Sequence, residues 1–303
     1  MKIPSACTLC PRLCRADRNT MPGLCGGGSQ VKIARAAPHF WEEPCLSGTR
    51  GSGTVFFSGC SLGCSFCQNC AISRGGQGWP VTTKELAGVF LSLETQGVHN
   101  LNLVTATHYL PWVAKALTLA RRQGLSLPVV WNTGGYETLE TVAFLHPYAN
   151  IYLTDLKFYA PALAARLAKA PNYFAVATAA LQAMCEQTGT PRFNGEGILQ
   201  RGTIVRILVL PGQRQDAKEL LYWLARNLPK GAFLLSLMSQ YTPPPGQPLP
   251  APLNRRIASF EYNDVVNTAV DLGLTGGFMQ QRSSAKEEYT PPFDGTGIPP
   301  LLK

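Results

Sequence analysis

Gly53-Thr-Val-Phe-Phe-Ser58-Gly-Cys60-Ser-Leu-Gly-Cys64-Ser-Phe-Cys67 is the stretch from which the rest of the chain is read. Its first half, β-branched and aromatic, reads as a buried strand. Its second half is a short loop with cysteines at C-x3-C-x2-C spacing. Thiolates this close together, on a loop opening from a strand, can all face one point, which is a geometry for holding a metal cluster. Gln68-Asn69-Cys70 follows directly.

The cysteine distribution points the same way. Nine of the ten cysteines lie in the first 70 residues, and Cys185 alone lies beyond. Cysteines serving as small core residues would be scattered. The opening Met1-Lys-Ile-Pro-Ser-Ala-Cys7 has no apolar segment of a secretory signal. No run of about 18 apolar residues predicts a membrane span. The chain is therefore read as cytoplasmic, where many cysteines argue for metal or redox chemistry over a disulfide framework. At 303 residues, 45% hydrophobic and 15% charged, it can bury a sizeable core. The net charge of +9 reads as a basic surface or as attraction to an anionic partner. Without a long Lys/Arg run or a stacking motif, nucleic acid is not the expected partner.

Residues 1–50 read as a separate Cys-rich extension. Cys7-Thr-Leu-Cys10-Pro-Arg-Leu-Cys14 and the later Cys25, between glycines, suit a tetrahedral zinc site or a second iron–sulfur cluster. The alternative is a set of free thiols in a loop-rich cap. Cys45 stands apart as an ordinary thiol.

After residue 50 the chain alternates. Strands are predicted over 53–58, 100–106, 128–132, 150–155, 203–210 and 231–237. Helices fall between them: one opened by a Thr82/Glu85 capping box, one started by Pro111, then about 137–146, 172–188, 215–228 and 254–272. Cys185 falls on the apolar face of one of these and reads as core. A Pro-rich loop spans 243–252, and residues 283–303 read as an irregular Pro/Gly-rich tail.

Alternating strands and helices predict an α/β fold with a parallel sheet and right-handed crossovers. In such sheets chemistry gathers at the carboxyl ends of the strands. No glycine-rich dinucleotide fingerprint follows the first strand; the cysteine loop stands there instead. The other strand ends carry Thr105-Ala-Thr107-His108, Asn132-Thr133, Asp155-Leu-Lys157, Arg206 and Gln240. Singly, Asp155 reads as a helix cap, Lys157 as a surface charge and His108 as a loop histidine. At corresponding positions in successive units they predict one shared mouth.

The loop with an aromatic residue, Phe66, before its last cysteine resembles the radical S-adenosylmethionine (SAM) superfamily. Cys-x-x-Cys-Pro-Arg near the start, Phe56-Phe57-Ser-Gly-Cys60, Cys67-Gln-Asn69, Asn132-Thr-Gly-Gly-Tyr136, Asp155-Leu-Lys157 and Leu208-Val-Leu-Pro-Gly212 resemble uncharacterised proteins similar to pyruvate formate-lyase activating enzyme, over nearly the whole chain. The resemblance implies a partial (β/α)6 TIM-like barrel over 51–282. It implies a 4Fe–4S cluster on Cys60, Cys64 and Cys67, with its fourth iron left for SAM. Reductive cleavage of SAM then yields a 5′-deoxyadenosyl radical that takes a hydrogen atom from the substrate.

By the same resemblance Asp155 lies near the SAM carboxylate, with a monovalent cation as a further candidate ligand there. Asn132 and Thr133 lie near that cation, Arg206 pairs with the carboxylate, and Lys157 faces the same cavity as a candidate catalytic residue. Phe66, Thr105, Thr107, His108 and Gln240 complete the candidate SAM-binding set. The implied partners are an electron donor such as flavodoxin or ferredoxin and a glycyl-radical enzyme or peptide whose glycine Cα gives up hydrogen. Small-molecule or RNA modification is the alternative chemistry; an iron–sulfur electron carrier, with Cys70 as fourth ligand, or a zinc-stabilised binding protein is the non-catalytic one. The Gly-Gly-Glu that many members carry after the second strand is absent; Thr105-Ala-Thr-His-Tyr109 stands in that region.

Overall fold

The computed structural model describes residues 5–244, 249–280 and 290–299. Parts of the predicted Pro-rich loop (245–248) and tail (283–289 and 300–303) lie outside the described residues. The chain begins with a cysteine-bearing cap and then β1 (Val31–His39), α1 (Pro44–Ser47), β2 (Ser52–Phe57), α2 (Cys70–Ser73) and β3 (Trp79–Val81). Next come α3 (Thr83–Thr95), β4 (Leu101–Val104), α4 (Leu110–Arg122), β5 (Val129–Thr133), α5 (Leu139–Leu145) and β6 (Ile151–Asp155). The second half holds α6 (Pro161–Ala168), α7 (Tyr173–Thr188), β7 (Arg192–Phe193), β8 (Leu199–Leu208), α8 (Arg214–Asn227), β9 (Leu234–Met238), α9 (Ser259–Asp271) and β10 (Gly277–Met279).

The main sheet runs β10-β9-β8-β6-β5-β4-β2-β1-β3. From β10 to β2 all neighbours are parallel, the α/β arrangement predicted from the alternating pattern. Such strands are covered on both faces, so they are buried along their whole length instead of alternating. Every residue of β2, β4 and β5 is buried. The sheet also curls. Glu42, in the turn after β1, touches Asn102 of β4, Asn132 of β5 and Arg206 of β8, residues far apart along a flat sheet. The result is an open barrel with its helices outside.

Local signals set several boundaries. Thr82 Oγ1 accepts the Glu85 N–H while Glu85 accepts the Thr82 N–H, and α3 begins at this capping box. Pro111 sits in the first turn of α4. The last helix starts later than predicted, at Ser259. Glu261 decides this: its carboxylate accepts the N–H groups of Ala258 and Gly212 and pairs with Arg255. Strands β1, β3, β7 and β10 and helices α1, α2 and α6 were not predicted. Strand β1 lies within the Cys-rich leader, and it pairs antiparallel with both β2 and β3.

Gly135 fixes one corner of the barrel mouth. Its φ is +79°, and a Cβ there would stand 2.3 Å from the Asp155 carbonyl oxygen. Gly135→Ala is expected to cost on the order of 2–4 kcal/mol, from strain plus the clash. Urea denaturation checks this; a loss within 0.5 kcal/mol, the range of ordinary surface changes, would refute it.

Candidate metal centre and active site

The cysteine loop is held from three sides. Arg12, between Cys10 and Cys14, donates through Nε to the Ser61 carbonyl (2.7 Å) and through Nη2 to that of Leu62 (3.2 Å). Its other contacts go to the carbonyls of Ala168 (2.6 Å) and Lys169, at the end of α6. One side chain thus clamps the loop to a helix terminus. Beneath the loop, the Cys60 N–H donates to the Cys25 carbonyl (3.0 Å), and the Gly59 N–H to that of Ile72 (2.9 Å). His108 Nε2 bonds the Ser58 carbonyl at 2.8 Å; since a carbonyl only accepts, that nitrogen carries the proton. Burial pushes the His108 pKa down to about 4, so the ring is neutral.

A cavity of about 220 Å³ opens at the carboxyl ends of the strands, with Cys60, Cys64 and Cys67 in its wall. Among the predicted residues, Phe66, Thr105, Asn132, Thr133, Asp155, Lys157, Arg206 and Gln240 line it too. Thr107 and His108 do not. Thr107 turns its hydroxyl to Glu137 (2.7 Å), and His108 is the pin beneath the loop. Phe66 is buried edge-on against Phe158. Cys70 begins α2 outside the cavity lining, Cys45 is buried beside Leu46 and Val130, and Cys185 is in the core with Leu181.

At the base of the cavity lies a charge array. Asp155 pairs with Lys157 and with Arg206 Nε (3.2 Å); Arg206 also meets Glu42 (3.0 Å) and donates to Asn132 Oδ1 (2.7 Å). Burial alone would raise the Asp155 carboxyl, but Lys157 and Arg206 outweigh it and hold it below its ordinary value. Burial would likewise discharge Arg206, yet Glu43, Asp155 and Glu42 keep it firmly protonated. The Tyr173 hydroxyl accepts the Lys157 N–H (3.0 Å) and faces the carbonyls of Gly134 and Asp155, fixing the turn after β6.

The donor set fits an iron–sulfur cluster. The Leu62 N–H points at Cys60 Sγ (3.4 Å) and the Ser73 hydroxyl at Cys67 Sγ (3.5 Å), the sulfur-directed bonds that tune such centres. Burial pushes the Cys64 thiol up to about 12, so its ionisation calls for a strong local positive charge. Among the described residues no three or more Cys, His, Asp or Glu side chains are gathered to grip a metal ion.

Sequence reasoning missed Glu42, Glu137 and Tyr173, and it quoted Arg12 in a motif without a role. Glu137 is buried and accepts from both Thr107 and Thr133. Burial raises its pKa to about 7 against those two hydrogen bonds. A raised folded-state pKa favours the native state below the unfolded pKa of about 4.3, and this contribution is lost as pH rises through about 7. Glu137→Gln, which mimics the protonated form, is therefore expected to flatten the stability–pH curve between about pH 4 and 8 and to stabilise the protein by on the order of 2 kcal/mol at pH 8. Denaturation midpoints across that range test it; an unchanged slope would refute it.

Residues 47–151 match a family model described as a 4Fe-4S single cluster domain. The chain is 28% identical over 281 residues to the uncharacterized protein MJ0674 of Methanocaldococcus jannaschii, covering 88% of this chain and 75% of that protein. Among solved structures it is similar to SuiB of Streptococcus suis, with a TM-score of 0.48 and 13% identity over 73% of this chain and 47% of SuiB. SuiB bound to S-adenosylmethionine gives the same score and identity, with 48% of that chain covered. This chain thus spans about half the length of SuiB. No helix among the described residues is long and apolar enough to cross a membrane.

Proposed function

We propose that this chain is a radical SAM enzyme whose Cys60, Cys64 and Cys67 hold a 4Fe–4S cluster. The observation that carries the reading is the meeting of three loop thiols with the Asn132–Asp155–Lys157–Arg206 array in one cavity. The match of residues 47–151 to a 4Fe-4S domain supports the cluster. The position of Cys70 outside the cavity lining supports three protein ligands over four, leaving one iron for SAM. When bound, the cluster and SAM together supply a 5′-deoxyadenosyl radical that abstracts hydrogen from the substrate.

The chain's own residues bind and orient. Lys157 presents its ammonium to the cavity, held by Asp155, and attracts the SAM carboxylate. Asp155 and Thr133 form the oxygen-rich side where a monovalent cation would sit. Arg206 has each guanidinium nitrogen engaged by Asp155, Glu42 or Asn132, so in this reading it holds those groups in place. Thr105, just after β4, has φ +58°, a strained value for a β-branched residue, and lines the cavity. Its oxygens stand in for the absent Gly-Gly-Glu as acceptors for the SAM ammonium. Phe66 and Gln240 shape the neighbouring wall.

The finer reading is activation of a partner protein by removal of hydrogen from a glycine Cα, with flavodoxin or ferredoxin as electron donor, in the cytoplasm. The test is anaerobic reconstitution, reduction, addition of SAM and detection of 5′-deoxyadenosine by mass spectrometry. Its formation is expected; no product above background would sink the enzyme reading. A glycyl-radical signal on a co-incubated partner tests the finer one, and product without such a signal across candidates would favour small-molecule or RNA modification.

A further inference from the structure

We propose that Cys7, Cys10, Cys14 and Cys25 form a tetrathiolate zinc site in the N-terminal cap, with Arg18 as its built-in counter-cation. Arg18 is 1% exposed. Its Nη1 faces the sulfurs of Cys7 (3.7 Å) and Cys25 (4.0 Å), and its Nη2 donates to the carbonyls of Gly28 and His108, both at 3.1 Å. Its guanidinium lies over Tyr109 and Trp112, and its Nε has no hydrogen-bond partner. Among the described residues no carboxylate pairs with it. Two carbonyls and two aromatic faces offset part of the desolvation cost of this buried guanidinium, but neutral thiols give it no counter-charge.

The thiols can supply that counter-charge only when ionised. Zinc takes four thiolates, releases their protons and leaves a dianionic centre beside Arg18: Zn²⁺ and four thiols give the tetrathiolate and four H⁺. The backbone is already shaped for this. The N–H groups of Arg12, Ala16 and Gly27 point at the sulfurs of Cys10, Cys14 and Cys25, each two residues back in the chain. The Cys7 and Cys14 thiols hydrogen-bond to one another, and a Cβ on Gly23 would lie 3.4 Å from the sulfurs of both Cys14 and Cys25. Among the described residues the sulfurs do not sit in the grip of one ion; binding would have to turn the cysteine side chains within this cap. The Cys7–Cys14 contact and the shared approach of Cys14 and Cys25 to Gly23 suit the ligands of one ion.

The site would also serve the cysteine loop. Arg12 lies between two of its ligands and clamps Ser61 and Leu62, and the Cys25 carbonyl takes the Cys60 N–H. Zinc binding would therefore anchor the start of the loop without touching the cavity.

The test uses the full chain with Cys60, Cys64 and Cys67 all changed to Ser, so that failure of the radical SAM reading cannot be mistaken for failure of this one. Elemental analysis is expected to find about one zinc per chain after dialysis. Cobalt(II) in its place should show thiolate charge-transfer bands and the visible bands of a tetrahedral centre. Arg18→Met is expected to weaken zinc binding roughly 10- to 100-fold in a chelator competition; Arg18→Lys, which keeps the charge, should lose less. On the otherwise unaltered chain, removing zinc should speed amide exchange over 59–67. About four irons per chain in the triple variant, no bound zinc, or cobalt bands lacking thiolate character would each overturn the zinc assignment. Equal zinc affinities in wild type, Arg18→Met and Arg18→Lys would overturn the counter-cation role.

Discussion

Cys64→Ala is expected to abolish 5′-deoxyadenosine formation and to strip the cluster iron, while Cys70→Ala leaves both intact. The two cysteines lie six positions apart, but their surroundings differ. Cys64 is buried in the cavity wall and interacts with the charge of Lys157; Cys70 starts α2 outside the cavity lining. Removing a direct iron ligand should cost more than the 10- to 100-fold that follows loss of an outer-shell partner. Cys60→Ala and Cys67→Ala should behave as Cys64→Ala does. Iron analysis and product detection on anaerobically reconstituted variants check this. Full activity in any of these three variants, or its loss in Cys70→Ala, would contradict the ligand assignment.

The second large effect is expected at Arg206. Arg206→Met leaves Asp155 and Glu42, which both pair with it, with one cation fewer, and Glu43 is close enough to feel the same charge. Breaking a buried ion pair from one side costs about 3–5 kcal/mol, because the remaining charge is buried without its partner. The loss should depend on pH. Without Arg206 the folded-state pKa values of these carboxyls rise, so the variant loses stability relative to wild type as pH increases from about 4 towards 7. Glu42→Gln in the same chain should recover part of the loss by removing one of the stranded charges. Urea denaturation of the single and double variants at pH 5 and pH 8 checks both claims. A pH-independent loss would mean that packing, not charge, explains the cost. SAM affinity should fall in parallel, since Arg206 holds Asp155 and Asn132 at the cavity.

Much of the fold was legible because its signals are local. The apolar runs that became β2, β4, β5, β6, β8 and β9, the Thr82–Glu85 capping box and Pro111 each act within a few residues. Strands β1 and β10 lacked such signals. Strand β1 lies in a segment read for its cysteines, and its strand character comes from pairing with β2 and β3; β10 is three residues long and depends on β9 for its hydrogen bonds. Helix α6 is short and draws its stability from packing Leu163, Ala164 and Leu167 into the core.

For the site, the sequence alone singled out the three-cysteine loop, because its cysteines are adjacent in the chain and their spacing is itself the signal. Strand order likewise brought Asn132, Asp155, Lys157 and Arg206 to one mouth, since parallel strands present their carboxyl ends on one side. Tertiary structure decided the partners. The curl of the sheet lets Glu42, 164 positions away in the chain, reach Arg206. Thr107 and His108 turn to Glu137 and Ser58, away from the cavity that Thr105 lines. Packing of the cap places the Arg18 guanidinium against the sulfurs of Cys7 and Cys25. Burial and counter-charge belong to the packed molecule, and no local spacing encodes them.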